Sequence, residues 1–482
     1  MVNMKLFNYY LLNVVAQGLG RVFTFGSNFI AFVLIARFCG ADFFGQYAYI
    51  LNYFGIFVIL ADFGLMPVLG KDIAQTKDAP HLYWGNFLIV RLLLNVLVIL
   101  GSILTAYYLR RDMFFILFVG SLAIPFLASR FFEPIFQVFN RPWHSFYASM
   151  IYGIAHLVFL AAAFKFTDNL SSFVIAYISA NVLYTLIAFY LSFKSVKPLL
   201  KVETSIIKNI IKLAMPLGIS SIFIIISNRI CILMLARMQS DYAVGIYSAA
   251  YKFVEISSFL AAMVTAPLIP IFAEKAKNDK ASLKLIVRDI AEFIAIILLP
   301  VGIVCSLISK EIIFLVYGSK LLPSVDVFNI LIWVSIIIFY SLLVSSVVIS
   351  IGVVKYAYWL GAVAAILSAG LNYLLIPKYT YIGSAYVALI CEIVLVGVTI
   401  SYAIRHIGNF FRWKVWAKIF VLNMIIYIFF QETVFDINIF LKIFIGLAVY
   451  YICVFRLHLI RSDVLSILPN IKIFSFFDVL KR

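Results

Sequence analysis

A chain of 482 residues in which 65% are hydrophobic and only 12% charged has too little polar surface to coat a water-soluble globule, and its mean hydropathy of +1.09 agrees. The 38 lysines and arginines outnumber the 21 aspartates and glutamates, for a formal charge of +17. These basic residues sit in short segments beside apolar runs rather than in an aromatic-interleaved patch on a soluble fold, which excludes a nucleic-acid partner and predicts an all-α polytopic membrane protein.

Runs long enough to cross about 30 Å of hydrocarbon fall near 11–36, 43–66, 83–109, 113–139, 145–166, 171–193, 213–237, 243–270, 287–308, 325–351, 356–377, 379–404, 415–431 and 437–457. They predict about fourteen transmembrane helices. The first run is too long for a cleaved signal peptide and is read as a structural span. Most of the lysines and arginines fall on one side, above all in 194–212 (Lys194, Lys197, Lys201, Lys208, Lys212), in 275–288 (Lys275, Lys277, Lys280, Lys284, Arg288) and in the basic C-terminus. The positive-inside rule then places both termini in the cytoplasm.

One stretch occurs twice. Residues 27–67 and 227–267 align without a gap and share 11 identities in 41 positions, including Ser27, Asn28, Ala36, Arg37, Gly45, Tyr47 and Pro67 with their counterparts 200 residues on. Unrelated apolar helices of this composition would share about 4. Because six spans separate the copies, both enter the membrane in the same direction and form parallel repeats. The expected organisation is an N-lobe of six spans (1–193), a cytoplasmic linker (194–213), a C-lobe of six spans (214–404), and two extra spans with a cytoplasmic tail (405–482). Two six-helix lobes imply a central cleft.

Five cations lie inside spans: Arg21, Arg91, Arg130, Arg229 and Lys252. Each costs roughly 2.5–3.5 kcal/mol near the bilayer centre, and such residues commonly face a wet cavity on a substrate path. Arg130 with Glu133 and Lys252 with Glu255 have i,i+3 spacing, so each can alternatively be a self-neutralised structural pair. Arg91 is close enough to its membrane face to snorkel. Arg21 and Arg229 have no acidic neighbour at helical spacing and are the best candidates for a cavity. Arg21 corresponds to Ser221 and Arg229 to Phe29, so the scaffold is duplicated while these charges are not. The cleft is expected to be asymmetric, electropositive and suited to an anion.

Soluble-enzyme motifs fail. Asp62-Phe63-Gly64 has no catalytic-loop partner, and Gly64 with Gly70-Lys71-Asp72 has the wrong glycine spacing for a phosphate loop, with Asp72 in place of Ser or Thr. The five cysteines form no C-x-x-C, so no metal, no cofactor and no enzymatic centre is indicated. Glu133, Glu255, Glu392 and His156 are candidates for coupling to an ion gradient, with buried packing as the alternative for each.

Ala61-Asp62-Phe63-Gly64-Leu65 followed by Lys71-Asp72-Ile73-Ala74, the element from Ala36-Arg37 to Gly45-x-Tyr47 and its repeat at 236–247, and Ile376-Pro377-Lys378-Tyr379 with Gly383-Ser384-Ala385 resemble polysaccharide-biosynthesis flippases. These are the O-antigen and capsule repeat-unit translocases of the multidrug/oligosaccharidyl-lipid/polysaccharide exporter superfamily. The resemblance implies a V-shaped pair of lobes in a bacterial inner membrane that alternate in access and move an undecaprenyl-diphosphate-linked oligosaccharide to the periplasmic leaflet. It also implies membrane lipids, a polymerase and a chain-length regulator of the same pathway as partners. Lipid II flippases and drug/cation antiporters share the fold and are the alternatives. An antiporter would need unpaired acidic residues in its first lobe, whereas the buried charge here is predominantly positive.

Overall fold

The computed structural model describes residues 2–75, 79–167, 169–352, 354–432 and 439–457. The expected basic C-terminal tail lies outside them. Among the described residues every regular element is a helix.

In chain order, α1 (Val2–Cys39), α2 (Ala41–Asp62), α3 (Leu65–Gln75) and α4 (Pro80–Leu109) come first. The α1/α2 turn is made at Gly40 (φ 89°), and the α2/α3 turn at Phe63 and Gly64 (φ 42° and 77°), which makes Asp62-Phe63-Gly64 a tight turn ahead of a short amphipathic helix. The fourth apolar run is not one helix. It is divided into α5 (Phe114–Leu122), α6 (Ile124–Leu127), a 3-10 turn at Ser129–Phe132 and α7 (Glu133–Val138). Pro125 and Pro134, each without an amide hydrogen, begin two of these pieces. Next come α8 (Pro142–Phe166), α9 (Leu170–Ser195), α10 (Thr204–Met238) and α11 (Asp241–Thr265), which bends 48° into α12 (Leu268–Asn278). The chain closes with α13 (Lys280–Leu307), α14 (Ser309–Tyr317), α15 (Ser324–Ser350), α16 (Val354–Ile407), α17 (Trp413–Glu432) and α18 (Ile439–Arg456).

Nine described helices are long and apolar enough to cross a membrane, or ten when α11 and α12 count as one span. The difference from fourteen apolar runs arises at three places. The fourth run is broken. The eleventh and twelfth runs are both contained in α16, whose 54 residues would extend about 80 Å if straight, far beyond one bilayer. They are separated by a kink at Thr380 (φ 53°, ψ −132°), a conformation that a β-branched residue rarely adopts. The last two runs give one helix of 20 residues and one short apolar segment, Ile445–Arg456.

Contacts divide the chain into two compact units, Met1–Ala249 with Val316–Leu322 and Tyr356–Val387, and Ala250–Leu315 with Pro323–Lys355 and Ala388–Arg482. In the first unit α1 lies along α8 because small residues face each other: Gly20 against Ser149, and Gly153 against Ser27. Its core gathers Leu69, Trp84, Phe87, Phe131, Phe136, Ala148 and Ile210, with Trp84 stacked on Phe131 at 5.6 Å. The linker between α9 and α10 is strapped to the start of α4. The amide of Leu199 donates to the carbonyl of His81 (2.9 Å), Asn86 Nδ2 donates to the carbonyl of Lys201 (3.0 Å), and the amide of Glu203 donates to Asn86 Oδ1 (2.9 Å). In the second unit α17 and α18 pack on α13 through Ile296, Val304, Ile419, Phe430, Tyr450 and Val454, and Arg412 forms an ion pair with the buried Glu292.

Candidate functional site

The broken fourth run opens a polar cavity of about 110 Å³ inside the first unit, lined by Thr24, Asn28, Leu127, Arg130, Tyr152, Tyr177, Asn181 and Tyr184. Three helices give it one polar face each. In α1, Thr24 and Asn28 are one turn apart, and Gln17 and Arg21 continue the same stripe at i,i+4,i+7,i+11 spacing. In α9, Tyr177, Asn181 and Tyr184 recur at i,i+4,i+7. Tyr152 of α8 donates its hydroxyl to Asn28 Oδ1 (2.8 Å), and Asn181 Nδ2 donates to the carbonyl of Tyr177 (2.8 Å), so two of the walls are fixed by hydrogen bonds.

Irregular backbone at membrane depth survives only where protein or a cavity satisfies its freed polar groups. Here side chains do so. Arg91 donates to the carbonyl of Ala128, and Thr185 Oγ1 donates to that of Phe126 (2.9 Å). Arg91 is 5% exposed and its guanidinium lies 4.0 Å from the Phe131 ring centroid. The structure therefore places Arg91 behind the break, as the group that holds the interrupted segment in place.

Arg130 emerges from the break into the cavity and is exposed. It makes no ion pair with Glu133, whose Oε2 is buried without a hydrogen-bond partner. The intervening residues form a 3-10 turn, so the i,i+3 geometry of a regular α-helix is lost between them. The other i,i+3 pair does form: Lys252 Nζ is 2.6 Å from Glu255 Oε2 in α11, with side-chain exposures of 12% and 33%.

Arg21 is exposed on the polar stripe of α1, about one turn from Thr24. Arg229 does not line the cavity. Its Nη1 donates to Asn52 Oδ1 (2.6 Å) on α2, and the guanidinium lies over Gly55, where an added Cβ would be 2.8 Å from it. His156 is 1% exposed behind the cavity wall, its ring 5.7 Å from that of Tyr152 and 5.6 Å from that of Tyr177, with neither nitrogen hydrogen-bonded. Glu392 is half-buried on α16 in the second unit. Of the expected site residues, the structure brings Arg130 to the cavity, Arg21 to its stripe and His156 to its back wall. Arg91 supports it from behind, and Arg229, Lys252, Glu255 and Glu392 do not line it. Asn28, read from the repeat as a scaffold residue, lines the cavity, while its counterpart Asn228 is exposed on α10.

The polysaccharide biosynthesis protein family matches residues 11–275, more than half of the chain. A 295-residue stretch is 24% identical to the teichuronic acid biosynthesis protein TuaB of Bacillus subtilis (strain 168), covering 58% of this chain and 58% of that relative's length. Among solved structures, the inward closed conformation of the lipid II flippase MurJ superposes with a TM-score of 0.75 at 16% identity, covering 94% of this chain and all of that one. An inward-facing multidrug resistance MATE transporter gives 0.68 at 13% identity over 82% of this chain and 98% of its own. At these identities the two structures show a shared fold.

Proposed function

We propose, on the premise that this chain belongs to the polysaccharide biosynthesis protein family, that it flips a lipid-diphosphate-linked saccharide, of undecaprenyl type, from the cytoplasmic to the outer leaflet by alternating access. The observation that carries this reading is the cavity at the helix break. A sugar needs flat apolar surface for its ring faces and donors and acceptors for its hydroxyls. Tyr152, Tyr177 and Tyr184 supply rings and phenols, and Asn28, Asn181 and Thr24 supply amides and a hydroxyl. Arg130 adds the planar fork that pairs two oxygens of a phosphate or carboxylate at once, and Arg21 offers a second charge along the same stripe.

Cation antiport is disfavoured by the lining itself. Its single charged residue is Arg130, and the nearest acidic residue in sequence, Glu133, is buried and does not line the cavity. The basic 194–212 and 275–288 segments support cytoplasmic placement of the linker end, so transport would run towards the end at which α1, α4 and α10 terminate. A polymerase and a chain-length regulator are the partners this reading anticipates.

The test is complementation of a surface-glycan-deficient strain, with the lipid-linked intermediate located by leaflet. Arg130→Ala should lower export by about tenfold or more, the loss expected for one charge-assisted contact of roughly 1.5–3 kcal/mol, at near-normal protein abundance. Arg130→Lys should recover part of it, because the charge remains and the fork is lost. Full export by Arg130→Ala would remove the cavity from the substrate path.

A further inference from the structure

We propose that the end of the first unit opposite the linker is a reversible seal between the two copies of the repeat, latched by Arg110 on Asp241; the inference rests on the alternating-access reading. The copies meet there through equivalent residues. A Cβ on Gly45 would stand 1.8 Å from the carbonyl oxygen of Asp241, and a Cβ on Gly245 would stand 2.1 Å from that of Ala41. Positions 41 and 241, and 45 and 245, differ by the repeat offset of 200, so the first turns of α2 and α11 cross about a local two-fold axis, glycine to backbone in both directions. Only glycine permits that approach at either position.

The crossing is bridged by polar contacts. Arg110, at the end of α4, places Nη1 2.9 Å from Asp241 Oδ1 and Nη2 3.0 Å from Oδ2, a two-pronged pair in the first turn of α11. The same guanidinium bonds Asp112 and lies 4.7 Å from the Tyr49 ring, which it covers. At the same end, Lys320 Nζ donates to the carbonyl of Phe38 (2.8 Å), Gln239 Nε2 to that of Ile376 (3.1 Å), and Tyr317 OH to that of Ala249 (3.0 Å).

A permanent joint would interlock large side chains, as Trp84, Phe131 and Phe136 do in the core. This seam has backbone against glycine, bridged by hydrogen bonds that water can replace, and it can part at small cost. On the alternating-access reading, a saccharide released at this end has to pass it. Tyr49, 2% exposed beneath Arg110, becomes accessible only when the seam opens.

The experiment uses the full chain with its five native cysteines replaced by serine and a single Tyr49→Cys reporter, labelled in intact cells with a membrane-impermeant maleimide. Arg110→Ala or Asp241→Ala should raise the labelling rate about fivefold by shifting the population towards the open state, and exchanging the two charges (Arg110→Asp with Asp241→Arg) should return it towards the starting value. In a second arm, cysteines at 110 and 241 joined by a reducible thiol-reactive crosslinker should stop glycan export, and reductant should restore it. Unchanged reporter labelling in the single variants, or normal export with the crosslink complete, overturns the seal. If labelling responds as expected while the uncrosslinked chain fails to restore glycan export, the seal stands and the flippase reading falls.

Discussion

Positions 52 and 55 and their repeat counterparts 252 and 255 occupy the same places in the two copies and carry different chemistry. In the first copy Asn52 and Gly55 form an uncharged seat that receives Arg229 from α10. In the second, Lys252 and Glu255 neutralise each other within one helix. The first solution ties α2 to α10, and the second pairs two residues one turn apart in α11. A second contrast runs with it. The fourth run is broken into short helices around Arg130, whereas the corresponding tenth run, α15, is one continuous helix of 27 residues. Duplication has kept the crossing glycines, whereas the fourth run is interrupted where its counterpart α15 is continuous.

The sharpest way to break this comparison is Gly55→Val. Its branched side chain would occupy the space of the Arg229 guanidinium, expel it from Asn52 and leave a half-buried guanidinium without that hydrogen bond, a loss of about 3 kcal/mol. Thermal unfolding in detergent should show it as a large drop in midpoint, and Gly55→Ala should fall in between. A midpoint equal to wild type for Gly55→Val would mean that the arginine seat contributes nothing to the fold.

Removing the support of the broken run comes next. Arg91→Met should leave the buried Ala128 carbonyl without its donor and forfeit the contact with Phe131, costing about 2 kcal/mol. Lower abundance should accompany lower export in proportion. Normal abundance with export lost would instead make Arg91 a substrate contact.

In the second copy the effects should be smaller, because Glu255 keeps 33% of its side chain exposed and water can take over part of the pairing. Glu255→Gln alone should cost about 1 kcal/mol, and adding Lys252→Met should recover most of it. A double variant that stays inactive at normal abundance would assign the pair to the substrate or to a coupling ion.

The smallest effect is that of pH on the latch. The hydrogen bond from Arg110, assisted by its charge, holds the Asp112 carboxyl below the ordinary aspartate range. A depressed aspartate stabilises the folded state above its unfolded pKa and loses that contribution as pH falls through the depressed folded value. Labelling of Tyr49→Cys, divided at each pH by that of an exposed control cysteine so that the thiol's own titration cancels, should therefore be flat from neutral pH down to about 4 and rise only below it. A rise between pH 7 and 5 would mean that some other group governs the seam.

How much of this was legible in the sequence depended on whether the signal was local. The repeat, the membrane class and the Lys252–Glu255 pair were legible because identity at a fixed offset, apolar run length and i,i+3 spacing are one-dimensional properties. Gly45 and Gly245 were visible as repeat landmarks, but a close approach between helices leaves no trace in one strand of text. Arg130 and Glu133 have the same spacing as the pair that forms, and the 3-10 turn between them separates the two. Arg229 looked unpaired because its partner Asn52 is 177 residues away. The polar stripe Tyr177, Asn181 and Tyr184 was there to be found, since helical spacing of polar groups in an apolar span is a local signal.

The linker strapped to α4 has a consequence for where α10 begins. Leu199, Lys201 and Glu203 hold their place by hydrogen bonds to His81 and Asn86, with the backbone of Leu199 lying 1.9 Å from where a Cβ on Gly85 would be. The peptide bonds of that segment are thus reinforced by a docking site. The entry of α10 is therefore fixed against α4 by contacts as well as by the covalent chain.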